Sequence, residues 1–252
     1  HLLGLEPGLL ATRLGMAVEP DLAARGEMIL AGRAERRPLA YLLGETWFYG
    51  LRFRCDERAL VPRPETELLV DAALEWLQGR DEGTVADIGT GTGCLACTLA
   101  ANNPSAWIIA TDLWWEALSL ARENAEALGV ADRVRFLQGD LMEPLFAADL
   151  TGSVEALVAN LPYVAESEYL AGQPELWHEP RAALVPGPTG LEALENLVFR
   201  LPELPRARFV ALEIGATQAE AITNILCEVL PSWQVCTRRD YAGLDRIVVA
   251  TR

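Results

Sequence analysis

The chain contains no lysine; all 21 of its basic residues are arginine. Bias in genomic composition accounts for that choice, but the charge balance carries information. Thirty-six acids leave a formal net charge of −15 over 252 residues. Residues 1–62 hold eight acids and eight arginines, so the remaining 28 acids and 13 arginines place the whole excess on residues 63–252. Proteins that bind nucleic acid draw most of their affinity from basic contacts to phosphate. A main domain this acidic argues against DNA or RNA as the principal partner. No apolar run approaches the roughly 20 residues that cross a bilayer, and no signal peptide is evident. Cysteine is sparse and scattered, at positions 55, 94, 97, 227 and 236, which excludes a disulfide framework and fits a reducing cytoplasm. Cys94 and Cys97 form a C-x-x-C, yet no second pair exists and the only histidine besides His1 is His178. The pair also sits at helical spacing in "CLACTLAA", so buried, inert thiols are expected rather than a metal or redox site. Internal repeats and low-complexity segments are absent too.

What is present is an alternation. Residues 1–36 carry helical patterning with breaks near Gly15 and Pro20. The stretch 45–55, "ETWFYGLRFRC", reads as a β-hairpin around Gly50, with Trp47, Phe48 and Tyr49 as its expected core. Pro and acids then open a helix over 62–78. From residue 84, short apolar strands are predicted at 84–88, 107–111, 133–138, 154–159 and 207–213. Helices are predicted at 93–102, 115–128, 190–200 and 216–230. This pattern implies a parallel sheet covered on both faces. The last two strands, 233–238 and 245–250, lie too close for a crossover helix and should be antiparallel. Seven strands with an antiparallel end resemble the α/β, Rossmann-like plan of class I methyltransferases that use S-adenosyl-L-methionine (AdoMet).

Chemistry-bearing residues fall at the predicted strand ends. "ADIGTGTG" places Asp87, Gly89, Thr90, Gly91, Thr92 and Gly93 between a strand and a helix. Glycines there allow sharp turning and close approach of backbone to a ligand. The dinucleotide fingerprint G-x-G-x-x-G would need glycine at 94, where Cys94 stands, so an NAD-dependent oxidoreductase is disfavoured. Asp112 ends the second strand and is placed to accept hydrogen bonds from ribose hydroxyls. Asp140 ends the third, where it could accept the adenine amine, with Leu113 and Leu141 on the ring faces. Each acid alone could be a loop residue or cap; together they mark the edge at which open α/β sheets bind ligands.

The fourth strand ends in Asn160-Leu161-Pro162-Tyr163. A plain turn would explain Asn and Pro. A site for a planar NH2 group would also explain their position beside a cofactor loop. The Asn160 side-chain oxygen and the Leu161 carbonyl could accept both N–H bonds of an amide, Pro162 would orient that carbonyl, and Tyr163 could pack on the flat group. No metal site is expected.

Residues 36–69, "RRPLAYLLGETWFYGLRFRCDERALVPRPETELL", with "DIGTGTG", "ENAEALGV", "QGDL", "EPRAAL", "LEIG" and "AGLDRIVVA" in order, resemble the release-factor glutamine methyltransferases. The resemblance implies methyl transfer from AdoMet to the side-chain amide N5 of the glutamine in the Gly-Gly-Gln loop of class 1 peptide chain release factors. It implies a helical substrate-binding domain over residues 1–45, expected to be truncated at its start, a linking hairpin over 46–62, and a catalytic domain over 63–252. A monomer in the cytoplasm is expected. Two departures stand out. Leu161 replaces a family proline, which should leave activity retained but weakened, and "DLWWEAL" at 112–118 replaces a Ser-Pro-like turn, with Trp114 and Trp115 expected to pack on a neighbour rather than cap the adenine pocket. Arg63, Glu65 and Glu67 read as helix-start charges, and 164–188, with His178 and Glu179, as a cover over the substrate side. The alternatives are glutamine methylation of a ribosomal protein, DNA adenine-N6 methylation, and a non-catalytic AdoMet-binding protein.

Overall fold

The structure, a computed structural model, describes residues 15, 17–80 and 83–252. The helical patterning predicted over residues 1–14, and the truncated start inferred there, lie outside the described residues. The first described helices are Pro20–Ala34 (α1), with proline in its first turn, and Leu39–Leu43 (α2), which ends on Gly44 at φ 76°. A hairpin follows, Glu45–Phe48 (β1) against Leu51–Arg54 (β2), paired Glu45 to Arg54 and Phe48 to Leu51. Its two-residue turn, Tyr49-Gly50, has φ of 51° and 74°, positive at both positions as a turn twisted with the strands requires. Tyr49 sits in this conformation without glycine's freedom. Its N–H donates to Glu67 Oε1 at 2.6 Å and its hydroxyl to Asp71 Oδ1 at 2.8 Å, tying the hairpin to the next helix.

The three aromatics of the hairpin do not share a core. Phe48 is 2 % exposed and meets Phe53 edge to face, whereas Trp47 is 66 % exposed. Successive strand residues face opposite ways, so burying Phe48 turns Trp47 outward.

After a 3-10 turn at Pro64–Thr66 and helix Glu67–Leu77 (α3), strands and helices alternate: Gly83–Ile88 (β3), Cys94–Asn102 (α4), Ala106–Asp112 (β4), Trp115–Ala127 (α5), Val134–Gln138 (β5), Glu143–Ala147 (α6), Ala156–Ala159 (β6). The cover segment contains helix Glu166–Leu170 (α7) and 3-10 turns at Pro174–His178 and Arg181–Ala183. Helix Glu192–Arg200 (α8), strand Phe209–Glu213 (β7), helix Ala219–Val229 (α9) and strands Gln234–Arg239 (β8) and Asp245–Thr251 (β9) complete the chain. The seven-stranded sheet has the order β5-β4-β3-β6-β7-β9-β8. Strands β3 to β7 run parallel, and β9 pairs antiparallel with both β7 and β8. The fold class is the expected one.

Burial on both faces explains the near-continuous apolar strands. Val85, Ile108, Val158, Ala211 and Val249 face one way, into a core completed by α3, α4 and the hairpin. Ala86, Ile109, Leu157, Val210 and Val248 face the other, against α6, α8 and α9. Among the described residues, no helix is long and apolar enough to cross a membrane.

Candidate active site

The chain enters the sheet at β3, adds β4 and β5 to one side, then returns to lay β6 on the other side of β3. Connections therefore diverge between β3 and β6, which opens a crevice at their carboxyl ends. The register pairs Ile88 with Ala159, so the next residues, Gly89 and Asn160, stand side by side at its mouth. A cavity of about 780 Å³ occupies this place. Its walls include Gly89 and Gly91, Asp112 to Trp114, Asp140 and Leu141, and Asn160 to Pro162. Residues 57–60 and residues 180–183, within the segment expected to act as a cover, also line it.

The glycine loop divides its labour. Gly89 and Gly91, with φ of 74° and 55°, present bare backbone to the cavity. Gly93, at φ 78°, serves packing instead: a Cβ there would lie 3.0 Å from Ala121 Cβ on α5. Asp87 lies beneath the loop. Its Oδ2 accepts from Thr90 Oγ1 at 2.6 Å and from the Ala96 N–H at 3.1 Å, and complete burial pushes its pKa up to about 7. Thr90 is buried with it, and the Thr92 carbonyl accepts from Asn124 Nδ2 at 2.9 Å. Asp87, Thr90, Thr92 and Gly93 thus shape the loop from behind rather than lining the cavity.

Asp112 is both wall and brace. One carboxylate oxygen accepts from the Gly91 N–H and the other from the Trp114 N–H, each at 2.9 Å, while burial raises its pKa. Asp140 is exposed at the cavity edge. Leu141 holds φ at 43° and its carbonyl accepts from Thr111 Oγ1 at 2.9 Å. A left-handed leucine stores strain of order 1–3 kcal/mol and occurs where surrounding structure holds it. Trp115 packs on a neighbour, under the Arg122 guanidinium, whereas Trp114 lies on the cavity wall; both are about half exposed.

At the β6 end, Asn160 Nδ2 donates to Thr66 Oγ1 at 2.9 Å. Thr66 Oγ1 donates to Glu213 Oε2 at 2.7 Å, and the Tyr163 hydroxyl donates to Glu213 Oε1 at 3.1 Å. Neither the Asn160 side-chain oxygen nor the Leu161 carbonyl accepts a hydrogen bond from any described residue. Two residues that line the cavity thus each carry an acceptor oxygen with no described partner. The Leu161 side chain is 3 % exposed and packs on Gly89. Tyr163 stands behind the wall, its carbonyl receiving Gln218 Nε2 at 2.9 Å.

Thr66, Glu213 and Gln218 are not singled out by sequence reasoning, although Thr66 and Glu213 lie inside "PRPETELL" and "LEIG". Arg63, read as a helix-start charge, reaches across to the buried Glu179, whose other oxygen accepts the Val61 N–H at 3.0 Å. That pair pins the cover segment to the chain entering α3. His178 is absent from the cavity wall and sits 3.0 Å from the Glu35 carbonyl.

The C-x-x-C thiols are buried, which pushes Cys94 up to about 12 and Cys97 upward as well. Cys55 is buried also, whereas Cys227 and Cys236 are exposed. Thiolates are the reactive form. Alkylation of the folded protein followed by peptide mass mapping is therefore expected to label Cys227 and Cys236 alone; labelling of Cys94 or Cys97 would contradict inert packing.

Comparison with known proteins fits this geometry. Residues 65–187 match the family model for the methyltransferase small domain. The release factor glutamine methyltransferase of Cereibacter sphaeroides is 42 % identical over 254 residues, covering 99 % of this chain and 87 % of the relative. That of Chlorobaculum tepidum is 41 % identical over 221 residues, covering 85 % and 74 %. The chain belongs to the release factor glutamine methyltransferase family. Among solved structures, the N-terminal domain of human METTL16 in complex with SAH superposes with a TM-score of 0.57 at 16 % identity, covering 81 % of this chain and 76 % of that one, a likeness of fold alone. Leu161, where the resemblance led to an expectation of proline, is a residue of the cavity wall, and its carbonyl accepts from no described donor.

Proposed function

We propose that this protein transfers a methyl group from AdoMet to the side-chain amide nitrogen of a glutamine in class 1 peptide chain release factors, at their Gly-Gly-Gln loop. The observation that carries the reading is the pair of vacant acceptors, Asn160 Oδ1 and the Leu161 carbonyl, beside a glycine-walled cavity. A carboxamide offers exactly two N–H donors in one plane, which two such acceptors match. The cavity suits AdoMet: bare glycine backbone on one wall, the carboxylates of Asp112 and Asp140 on another, and Leu113 and Leu141 for a flat ring. When bound, AdoMet supplies a sulfonium-activated methyl group.

An amide nitrogen is a weak nucleophile because its lone pair is delocalised into the carbonyl. Asn160 and Leu161 hold its two hydrogens, stabilise the positive charge that develops on nitrogen, and turn its lone pair toward the cofactor side. The nitrogen would gain the methyl as the S–C bond breaks and, acidic while cationic, would release one of its two protons to solvent. Preorganised dipoles and alignment supply the acceleration without a dedicated base. Pro162 fixes the direction of the Leu161 carbonyl and Tyr163 backs the tetrapeptide. Residues 180–183 line the same cavity. The relatives' names support release factors as substrate, and residues 1–45, with Met28 and Leu30 exposed on α1, are the segment we propose to meet that partner.

A retained carbonyl predicts that Leu161→Pro remains active. The wild-type kcat is expected to be equal to or lower than that of Leu161→Pro by no more than about tenfold, a barrier change of about 1.4 kcal/mol. Turnover on a purified release factor checks this; inactivity of both proteins would contradict the proposal.

A further inference from the structure

Asn160 can offer its oxygen to a substrate amide only if its own NH2 group is held elsewhere. An asparagine side chain is nearly symmetric in shape, so packing alone does not choose which end faces the cavity. Hydrogen-bond polarity does. Glu213 is fully buried and, when ionised, only accepts. Thr66 Oγ1, 2.7 Å from Glu213 Oε2, must then spend its single proton on that oxygen. What Thr66 turns toward Asn160, at 2.9 Å, is a lone pair, and only Nδ2 satisfies it. The Tyr163 hydroxyl, 3.1 Å from Glu213 Oε1, saturates the other carboxylate oxygen and links the far end of the tetrapeptide to the same acid.

We infer that Thr66 and Glu213 are positioning residues which set the polarity of the Asn160 carboxamide, so that its oxygen faces the substrate amide. The inference rests on Asn160 being the amide acceptor. It assigns a role to two residues that touch neither the cofactor nor the reacting atoms.

Protonation of Glu213 would undo the arrangement. A carboxylic acid can donate to Thr66, freeing the threonine proton to point at Asn160, which then turns its NH2 toward the cavity and repels the substrate donors. Burial, the largest influence, raises Glu213 to about 7; Thr66 and Tyr163 donate to it and lower it, Arg246 on β9 lowers it, and Glu65 beside Thr66 raises it. Arg246 is itself held by Asp240 at 3.1 Å. Turnover should therefore be lost as pH falls through about 7. The glutamine amide does not titrate in this range. Asp87, also raised to about 7, braces the cofactor loop, so the profile is compared with that of Asp87→Asn, which removes its titration.

The test measures kcat between pH 5.5 and 8.5 on a purified release factor, with AdoMet affinity measured separately by calorimetry. Wild-type transfer must be present; its absence would sink the proposed function rather than this inference. Thr66→Val should lower kcat by about tenfold to a hundredfold, the scale of a lost hydrogen bond to a charged network, with AdoMet affinity within about twofold. Thr66→Ser, which keeps the hydroxyl, should recover most of the rate. Glu213→Gln should lower kcat and flatten the acid limb. An active wild type with unchanged kcat in Thr66→Val, or an acid limb that persists in Glu213→Gln, would overturn the inference. Glu213→Gln preserves shape, so the pH comparison decides even if Thr66→Val proves unstable.

Discussion

Asn160→Ala is expected to lower kcat for glutamine methylation by about 10²–10³, the cost of removing one preorganised polar group at a developing charge. AdoMet affinity should stay within a few-fold, because the glycine loop, Asp112 and Asp140 are untouched. The loss should fall on turnover at saturating substrates, since the removed contact strengthens as the amide nitrogen takes on positive charge. Asn160→Asp sharpens the test. A carboxylate would be the better proton acceptor, so a general-base role predicts that aspartate preserves or improves the rate. The geometry predicts the reverse. Aspartate at 160 would turn an oxygen toward the Thr66 lone pair and add a second negative charge near buried Glu213. Both variants should be nearly inactive. Cofactor binding by calorimetry and kcat on a release factor check the pair; a fast Asn160→Asp enzyme would refute the acceptor role.

Gly89→Ala is expected to damage both stability and turnover. Its φ of 74° costs an alanine about 1–2 kcal/mol. The new Cβ would also lie 2.8 Å from Leu161 Cδ2, closer than real contacts allow. Overpacking of this kind adds about 1–3 kcal/mol. The buried Leu161 side chain would have to shift, on the residue whose carbonyl is one of the two proposed acceptors. Gly91→Ala is the control: φ is 55°, but the nearest atom to its Cβ is Ala59 Cβ at 3.9 Å. Gly91→Ala should therefore lose stability from strain alone. Gly89→Ala should lose about 2–5 kcal/mol in denaturant unfolding, combining the two costs, and should also drop in kcat. Equal effects of the two substitutions on both stability and kcat would mean that the cofactor loop and the tetrapeptide are not coupled through Leu161.

Much of this architecture was legible because local chemistry announces it. Strands such as "TVADI" and "ALVA" are apolar on both faces, the mark of a parallel sheet between helix layers, and the glycines and acids that end them define one edge. Direction within that edge was less legible. Asp87 and Thr92 belong to the same motif as Gly89, yet the first two turn inward to brace the loop, a difference set by which side of a tight turn each residue occupies. Trp47 misled because bulk suggests burial, but strand alternation leaves it exposed. The Thr66–Glu213 contact joins residues 147 positions apart, and the Asn160–Thr66 contact spans 94. Nothing local in a threonine at a helix start or an acid at a strand end signals that they will meet. Only the sheet order, which lays β6 beside β7, brings the tetrapeptide and Glu213 together.

The measurement closest to the central claim is incubation of the wild-type protein with isotopically labelled AdoMet and purified class 1 release factor, ribosomal protein and adenine-containing DNA, followed by mass mapping of the labelled atom. The account predicts one labelled methyl on the side-chain amide of the Gly-Gly-Gln glutamine, absent when Asn160→Ala replaces the wild type. Label on adenine or on a residue without a carboxamide, or AdoMet binding with no transfer at all, would contradict it.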